Sequence, residues 1–188
     1  MKLSGSYQIN LEKQKVWEAL NNPEILQKTI PGCEEFKKNS DTEFSATATN
    51  KIGPFNASFT GDIELKDLDP PNSYKITGSG NSPVGFATGE AFVVLEDYDG
   101  GTKLTYTVEA NVGGKIAQVG SRLIDMTAKK MADIFFGKFS ELVSNKSNVL
   151  KTETVSKVKV PREKKSFNKI LIYSSLIIII AIFIYSIS

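Results

Sequence analysis

Few residues in this sequence have the types and spacing that bond-making chemistry needs. Cys33 is the only thiol, and there is no histidine anywhere in the 188 residues. Histidine is the commonest general base and metal ligand, so both roles lose their usual candidate at once. A nucleophilic cysteine needs a neighbouring base or a depressed pKa. With no imidazole to activate it, Cys33 reads as a small buried or half-buried thiol. The carboxylates Asp62, Glu64 and Glu90 fall on strand-like stretches. Asp62 and Glu64 occupy the polar positions of their alternation and face solvent, whereas Glu90 alternates with Phe86 and Phe92. Gly78-Ser79-Gly80 and Gly113-Gly114 lack the spacing and the lysine of a phosphate loop. Neither catalysis nor a bound metal is expected from this inventory.

The elements that hold these residues follow from periodicity. A strand is predicted over Leu3 to Asn10 and a helix over Leu11 to Leu20, with Val16, Trp17 and Leu20 on one face. Pro23 can open a second short helix that ends before Pro31. Period-two stretches follow at Phe44 to Asn50, Phe55 to Lys66, Ser73 to Gly80, Phe86 to Asp97 and Thr102 to Val112. Gly53-Pro54, Pro70-Pro71-Asn72, Ser82-Pro83 and Asp99-Gly100-Gly101 separate them. After Gly113-Gly114 a helix is predicted from near Lys115 to about Asn145, on Ile116, Val119, Leu123, Met126, Ile134, Phe135 and Leu142. This order is α+β: a curved antiparallel sheet wrapped around a long C-terminal helix, one domain over residues 1–146.

One face of these strands is rich in small residues. Ala57 and Gly61, Ala46 and Ala48, Gly78 and Gly80, and Ala87, Gly89 and Ala91 all alternate with polar positions. Alanine and glycine are poor strand formers, so packing is not their evident purpose. Two readings stand: the helix approaches unusually closely there, or an apolar pocket lies between helix and sheet.

Beyond this domain the chain changes character. Lys151 to Lys169 holds seven basic residues against Glu153 and Glu163, a charge of +5 that leaves −3 of the total +2 for residues 1–150. A slightly acidic domain does not support nucleic-acid binding. From Ile170 to Ile187 the chain is uncharged, and as a helix it is about 27 Å long. With Phe167 to Lys169 it matches a hydrocarbon core of roughly 30 Å. Tyr173 and Tyr185 sit near its ends, at headgroup level. The expectation is a flexible basic tether over 147–166 and a transmembrane tail anchor over 167–187. The basic flank places the domain on the cytoplasmic side of the cell membrane, as a single-pass protein. One cysteine precludes an intrachain disulfide and suits a reducing compartment.

Several runs carry a resemblance: Val16-Trp17-Glu18-Ala19-Leu20, Asn22-Pro23-Glu24, Ile30-Pro31-Gly32-Cys33-Glu34, Gly61-Asp62-Ile63, and Gly101-Thr102-Lys103-Leu104-Thr105-Tyr106. The run from Gly114-Lys115-Ile116 through Val119-Gly120-Ser121-Arg122 to Leu123-Ile124 is the most specific, and Phe135-Phe136 also fits. Over about residues 1–146 the chain resembles the carbon monoxide dehydrogenase CoxG family, within the START/Bet v 1-like (SRPBCC) superfamily. The resemblance implies a helix-grip fold, with a seven-stranded antiparallel sheet, a long helix and a cavity between them. It implies a non-catalytic accessory protein that ties a soluble molybdenum-flavin carbon monoxide dehydrogenase, or a related hydroxylase, to the membrane. The superfamily's apolar ligands, set beside a membrane anchor, point to a quinone-like or lipid ligand lined by Trp17, Phe55, Phe59, Tyr106, Leu123, Met131 and Phe135. The Ile30 to Glu34 loop and the Pro83 to Gly85 loop are candidates for the mouth or a docking face. The alternative is a membrane-tethered lipid-binding or lipid-transfer protein with no enzyme partner. A cyclase or hydrolase using the same cavity is a third reading, disfavoured by the missing acid–base groups.

Overall fold

The computed structural model describes residues 1–152. The expected tether and transmembrane tail lie outside the described residues. Strand β1 (Lys2–Ile9) leads to helices α1 (Lys13–Ala19) and α2 (Pro23–Thr29). Six further strands follow: β2 (Cys33–Lys38), β3 (Glu43–Ile52), β4 (Phe55–Asp69), β5 (Ser73–Ser82), β6 (Gly85–Tyr98) and β7 (Gly101–Gly114). A 3-10 segment, Lys115–Val119, precedes the long helix α3 (Ser121–Thr152). All seven strands form one antiparallel sheet in the order β1-β7-β6-β5-β4-β3-β2. Sequential neighbours pair throughout, except that β1 closes against β7, and α1 and α2 carry the chain from one edge to the other.

Local chemistry accounts for the punctuation. At the start of α2, the Asn22 side chain accepts from the N–H groups of Glu24 and Ile25 at 3.0 and 3.3 Å, with Pro23 at the first helical position. Between β6 and β7, Asp99 and Gly100 both have positive φ (47° and 74°), which suits a two-residue hairpin turn. Between β5 and β6, Ser82 Oγ accepts from the Val84 N–H at 3.1 Å and donates to the Gly85 carbonyl at 3.3 Å.

The structure departs from the sequence pattern at two elements. The pattern predicts a loop over Ile30 to Glu34, yet strand β2 begins inside it. Four of the six residues of β2 are charged, and only Phe36 is buried, so no apolar alternation announces it. Such charge is how an edge strand discourages further pairing. The predicted helix from Lys115 is interrupted at Gly120 (φ 91°), and α3 starts only afterwards. The core line of α3 consequently runs through Ile124, Ala128, Ala132, Phe135, Phe136, Phe139 and Val143, while Met126 is 62% exposed rather than inward.

Candidate functional site

The space between sheet and α3 has two unlike halves. Sheet register places inward residues in rows across the strands. Tyr74, Val93, Tyr106 and Gly5 form one row, and Ile63, Gly78, Gly89 and Ala110 form another. The next row holds Ala46, Gly61, Gly80 and Ala87. The first row lies toward α1, and the small-residue rows lie toward the start of α3.

Aromatic rings fill the half near α1. Trp17 meets Tyr74 edge to face, with centroids 5.0 Å apart. Phe136 stacks on Tyr7 at 4.0 Å and meets Phe135 at 5.0 Å, and Phe135 stacks on Phe139 at 5.9 Å. Gly5 has no side chain because a Cβ there would lie 2.6 Å from the Tyr106 hydroxyl oxygen. Asn21 donates its side-chain amide to the Trp17 carbonyl, fastening the end of α1. Lys13 reaches Asn72 at 3.0 Å and Asp97 at 3.2 Å, closing α1 down on the β4–β5 and β6–β7 turns.

Within this apolar half, two polar atoms have no partner: Trp17 Nε1 and the Tyr74 hydroxyl. Tyr74 is fully buried, and burial holds its phenol well above the ordinary value, so it stays protonated. An orphaned buried hydrogen-bonding group costs free energy, and two on adjacent rings are exceptional in an otherwise satisfied interior. Together they present two donors to any acceptor placed between them.

A second polar feature marks the β1 edge, where Tyr7 donates to Asp133 Oδ1 at 2.5 Å. Burial, reinforced by that carboxylate, raises the Tyr7 pKa. Burial also raises that of Tyr106. Neither phenol supplies a base near neutral pH.

Of the predicted lining residues, Trp17, Phe59, Tyr106 and Phe135 are buried between sheet and helices. Phe55 and Met131 are half-buried, and Met131 packs on the edge of the core. Leu123 stands apart, 36% exposed beside the β3–β4 turn at Gly53. The structure adds Tyr74, Tyr7 and Phe136, which the sequence pattern does not single out as site residues. A signal for Tyr74 exists, since it heads the inward alternation Tyr74, Ile76, Gly78, Gly80. No such signal exists for the orphaned hydroxyl, because only packing decides whether a buried phenol finds an acceptor.

The outer face of the sheet carries two open polar grooves. One, of about 470 Å³, is bordered by Glu43, Asp62, Glu64 and Thr77. The other, of about 440 Å³, is bordered by Lys2, Thr88, Glu90 and Glu109. Glu64, Glu90 and Glu109 pair there with Lys66, Lys75 and Lys2 at 2.9, 2.7 and 2.6 Å. These are exposed ion pairs, worth little individually. Among the described residues no cluster of Cys, Asp and Glu is arranged to hold a metal. Cys33 is half-buried, and its burial pushes the thiol up to about 11.

The fold defines the class first. The domain is an α+β helix-grip unit, similar to Ara h 8.0201 (TM-score 0.55, 16% identity, covering 77% of this chain and 98% of that one). It is equally similar to the Zhui aromatase/cyclase from Streptomyces sp. R1128 (TM-score 0.55, 12% identity, 78% and 95% covered). A conserved protein from Geobacillus kaustophilus is nearer, at TM-score 0.74 and 30% identity over 77% of this chain and 96% of that one. No curated protein matches the sequence. The chain belongs to the carbon monoxide dehydrogenase CoxG family, whose model matches residues 5–144.

Proposed function

We propose that this protein is a non-catalytic, membrane-tethered accessory protein. It recruits a molybdenum-containing oxidoreductase of the carbon monoxide dehydrogenase type and holds an apolar, quinone-like ligand between sheet and α3. One observation carries the ligand reading. Two hydrogen-bonding groups, on Trp17 and Tyr74, lie unpartnered in an apolar interior. A molecule that is apolar over most of its surface and bears a carbonyl oxygen suits both features. The small-residue rows through Gly78, Gly80, Ala87 and Gly89 supply the side on which bulk is accommodated. Both polar atoms are sealed from solvent. Entry therefore requires the helix and sheet to part. The family supports the partner class. The basic segment 151–169 and the uncharged stretch 170–187 support the tether.

Residues 1–146 are the natural fragment to test, because almost the whole of the Geobacillus chain is covered by this domain. The fragment is to be purified from quinone-making cells and its organic extract read by mass spectrometry against a matched blank. A stoichiometric quinone is expected. A fragment that retains none and takes up none on incubation would end the carrier reading and leave a tether.

A further inference from the structure

The end of the domain at which α3 begins differs from the rest of the surface. Met126 is 62% exposed and Leu123 is 36% exposed. On α3, Arg122, Lys129 and Lys130 stand at i−4, i+3 and i+4 from Met126, and so share its side of the helix. Leu123 abuts the β3–β4 turn, where a Cβ on Gly53 would lie 3.2 Å from it. That turn brings up Lys51, and the 3-10 segment begins at Lys115. Among the described residues none of these five cations has an ion-pair partner. Between residues 115 and 130 only Asp125 opposes them. The sheet's lysines, by contrast, include Lys2, Lys66 and Lys75 in pairs with carboxylates.

We infer that this face, centred on Leu123 and Met126, docks the domain onto an anionic lipid surface, with the small-residue half of the interior opening toward the bilayer. The inference rests on the proposed function, whose ligand must come from a membrane. Composition chooses the occupant. Protein interfaces favour aromatic residues and arginine and are depleted in lysine. Here four of the five cations are lysine, and the exposed apolar residues are aliphatic. Long basic chains around a small apolar centre suit a diffuse anionic surface, into which the apolar tips insert. Reach is compatible too. Helix α3 is about 48 Å long. The 14 residues between Thr152 and Phe167 span at most about 50 Å when extended.

The test uses the full chain with Cys33→Ser, carrying one environment-sensitive fluorophore at Met126→Cys or, as a control on the outer sheet face, at Thr88→Cys. Each is reconstituted into vesicles of phosphatidylcholine alone or with phosphatidylglycerol, including lipids that bear a quencher in the acyl chain. Fluorescence of the one tryptophan, Trp17, reports that the fold is intact. The expected result is quenching at position 126 only when phosphatidylglycerol is present, and none at position 88. Replacing Lys129 and Lys130 by Gln should lower the docked-to-free ratio about 30-fold, roughly fivefold for each charge. If the protein floats with vesicles but the probe at 126 stays aqueous, the docking face is wrong and the tether survives. Quenching at 126 that ignores lipid charge overturns the electrostatic argument. If the chain does not float at all and the probe stays aqueous, both the tether and the docking face fall.

Discussion

Tyr74→Phe separates the stability of the empty domain from its capacity to bind, because the two should move in opposite directions. The substitution removes one oxygen and leaves the ring against Trp17, where centroids are 5.0 Å apart. In the ligand-free domain the hydroxyl has no partner. A buried unsatisfied group costs about 1–3 kcal/mol, so its removal should stabilise the domain by about that amount. For a domain of this size each kcal/mol moves the Tm by about 2–4 °C, which gives a rise of roughly 3–10 °C. Binding should weaken. Loss of one neutral hydrogen bond to a ligand carbonyl costs about 0.5–1.5 kcal/mol, a roughly two- to twelvefold fall in affinity. Both quantities are accessible. Calorimetry of ligand-free residues 1–146 gives the Tm, and quenching of Trp17, the single tryptophan, by a short-chain quinone gives the Kd. A Tm that falls by several degrees means that the hydroxyl is satisfied by water or by a shifted neighbour, and the reasoning fails. An unchanged Kd for the quinone would remove Tyr74 from the binding site even if the Tm rises.

Three further expectations follow from the same packing. Phe136→Ala removes a ring that is 1% exposed and stacks on Tyr7, and should destabilise by about 3–5 kcal/mol in a denaturant titration. Ala128→Leu adds bulk at a fully buried position on the helix face toward the sheet, and should cost about 1–3 kcal/mol while abolishing quinone quenching of Trp17. The Cys33 thiol, raised to about 11 by burial, should remain protonated through neutral pH. Its alkylation rate should therefore climb only as pH approaches 11, whereas in urea the climb should come near the ordinary thiol value of about 8.5. An alkylation profile of the folded protein centred near that ordinary value would contradict the burial argument.

How much of the fold and site is legible in the sequence depends on which force decides each element. Period-two alternation locates five of the meander strands within a few residues, because one buried face imposes it directly. Strand β2 is not legible, since Cys33–Lys38 is held by pairing with β3 and buries only Phe36. The start of α3 is concealed because Ile116, Val119 and Leu123 continue a helical spacing across Gly120. Positive φ at that glycine breaks the helix and resets its phase, turning Met126 outward.

The sequence alone determined what the protein lacks and what it prefers. The missing histidine, the lone thiol and the small residues on one strand face are matters of residue type, and no folding alters them. It also carried the fold, since alternation and turn chemistry are local, and the family match to residues 5–144 rests on the same residues. Tertiary structure decided which apolar residues became core and which became surface, for Leu123 and Phe135 look alike in a hydrophobic pattern yet are 36% and 0% exposed. It decided too that Trp17 Nε1 and the Tyr74 hydroxyl are left without partners. Hydrogen bonding depends on the distance and direction between residues 57 positions apart in the chain, and only the packed arrangement of α1 over β5 sets those.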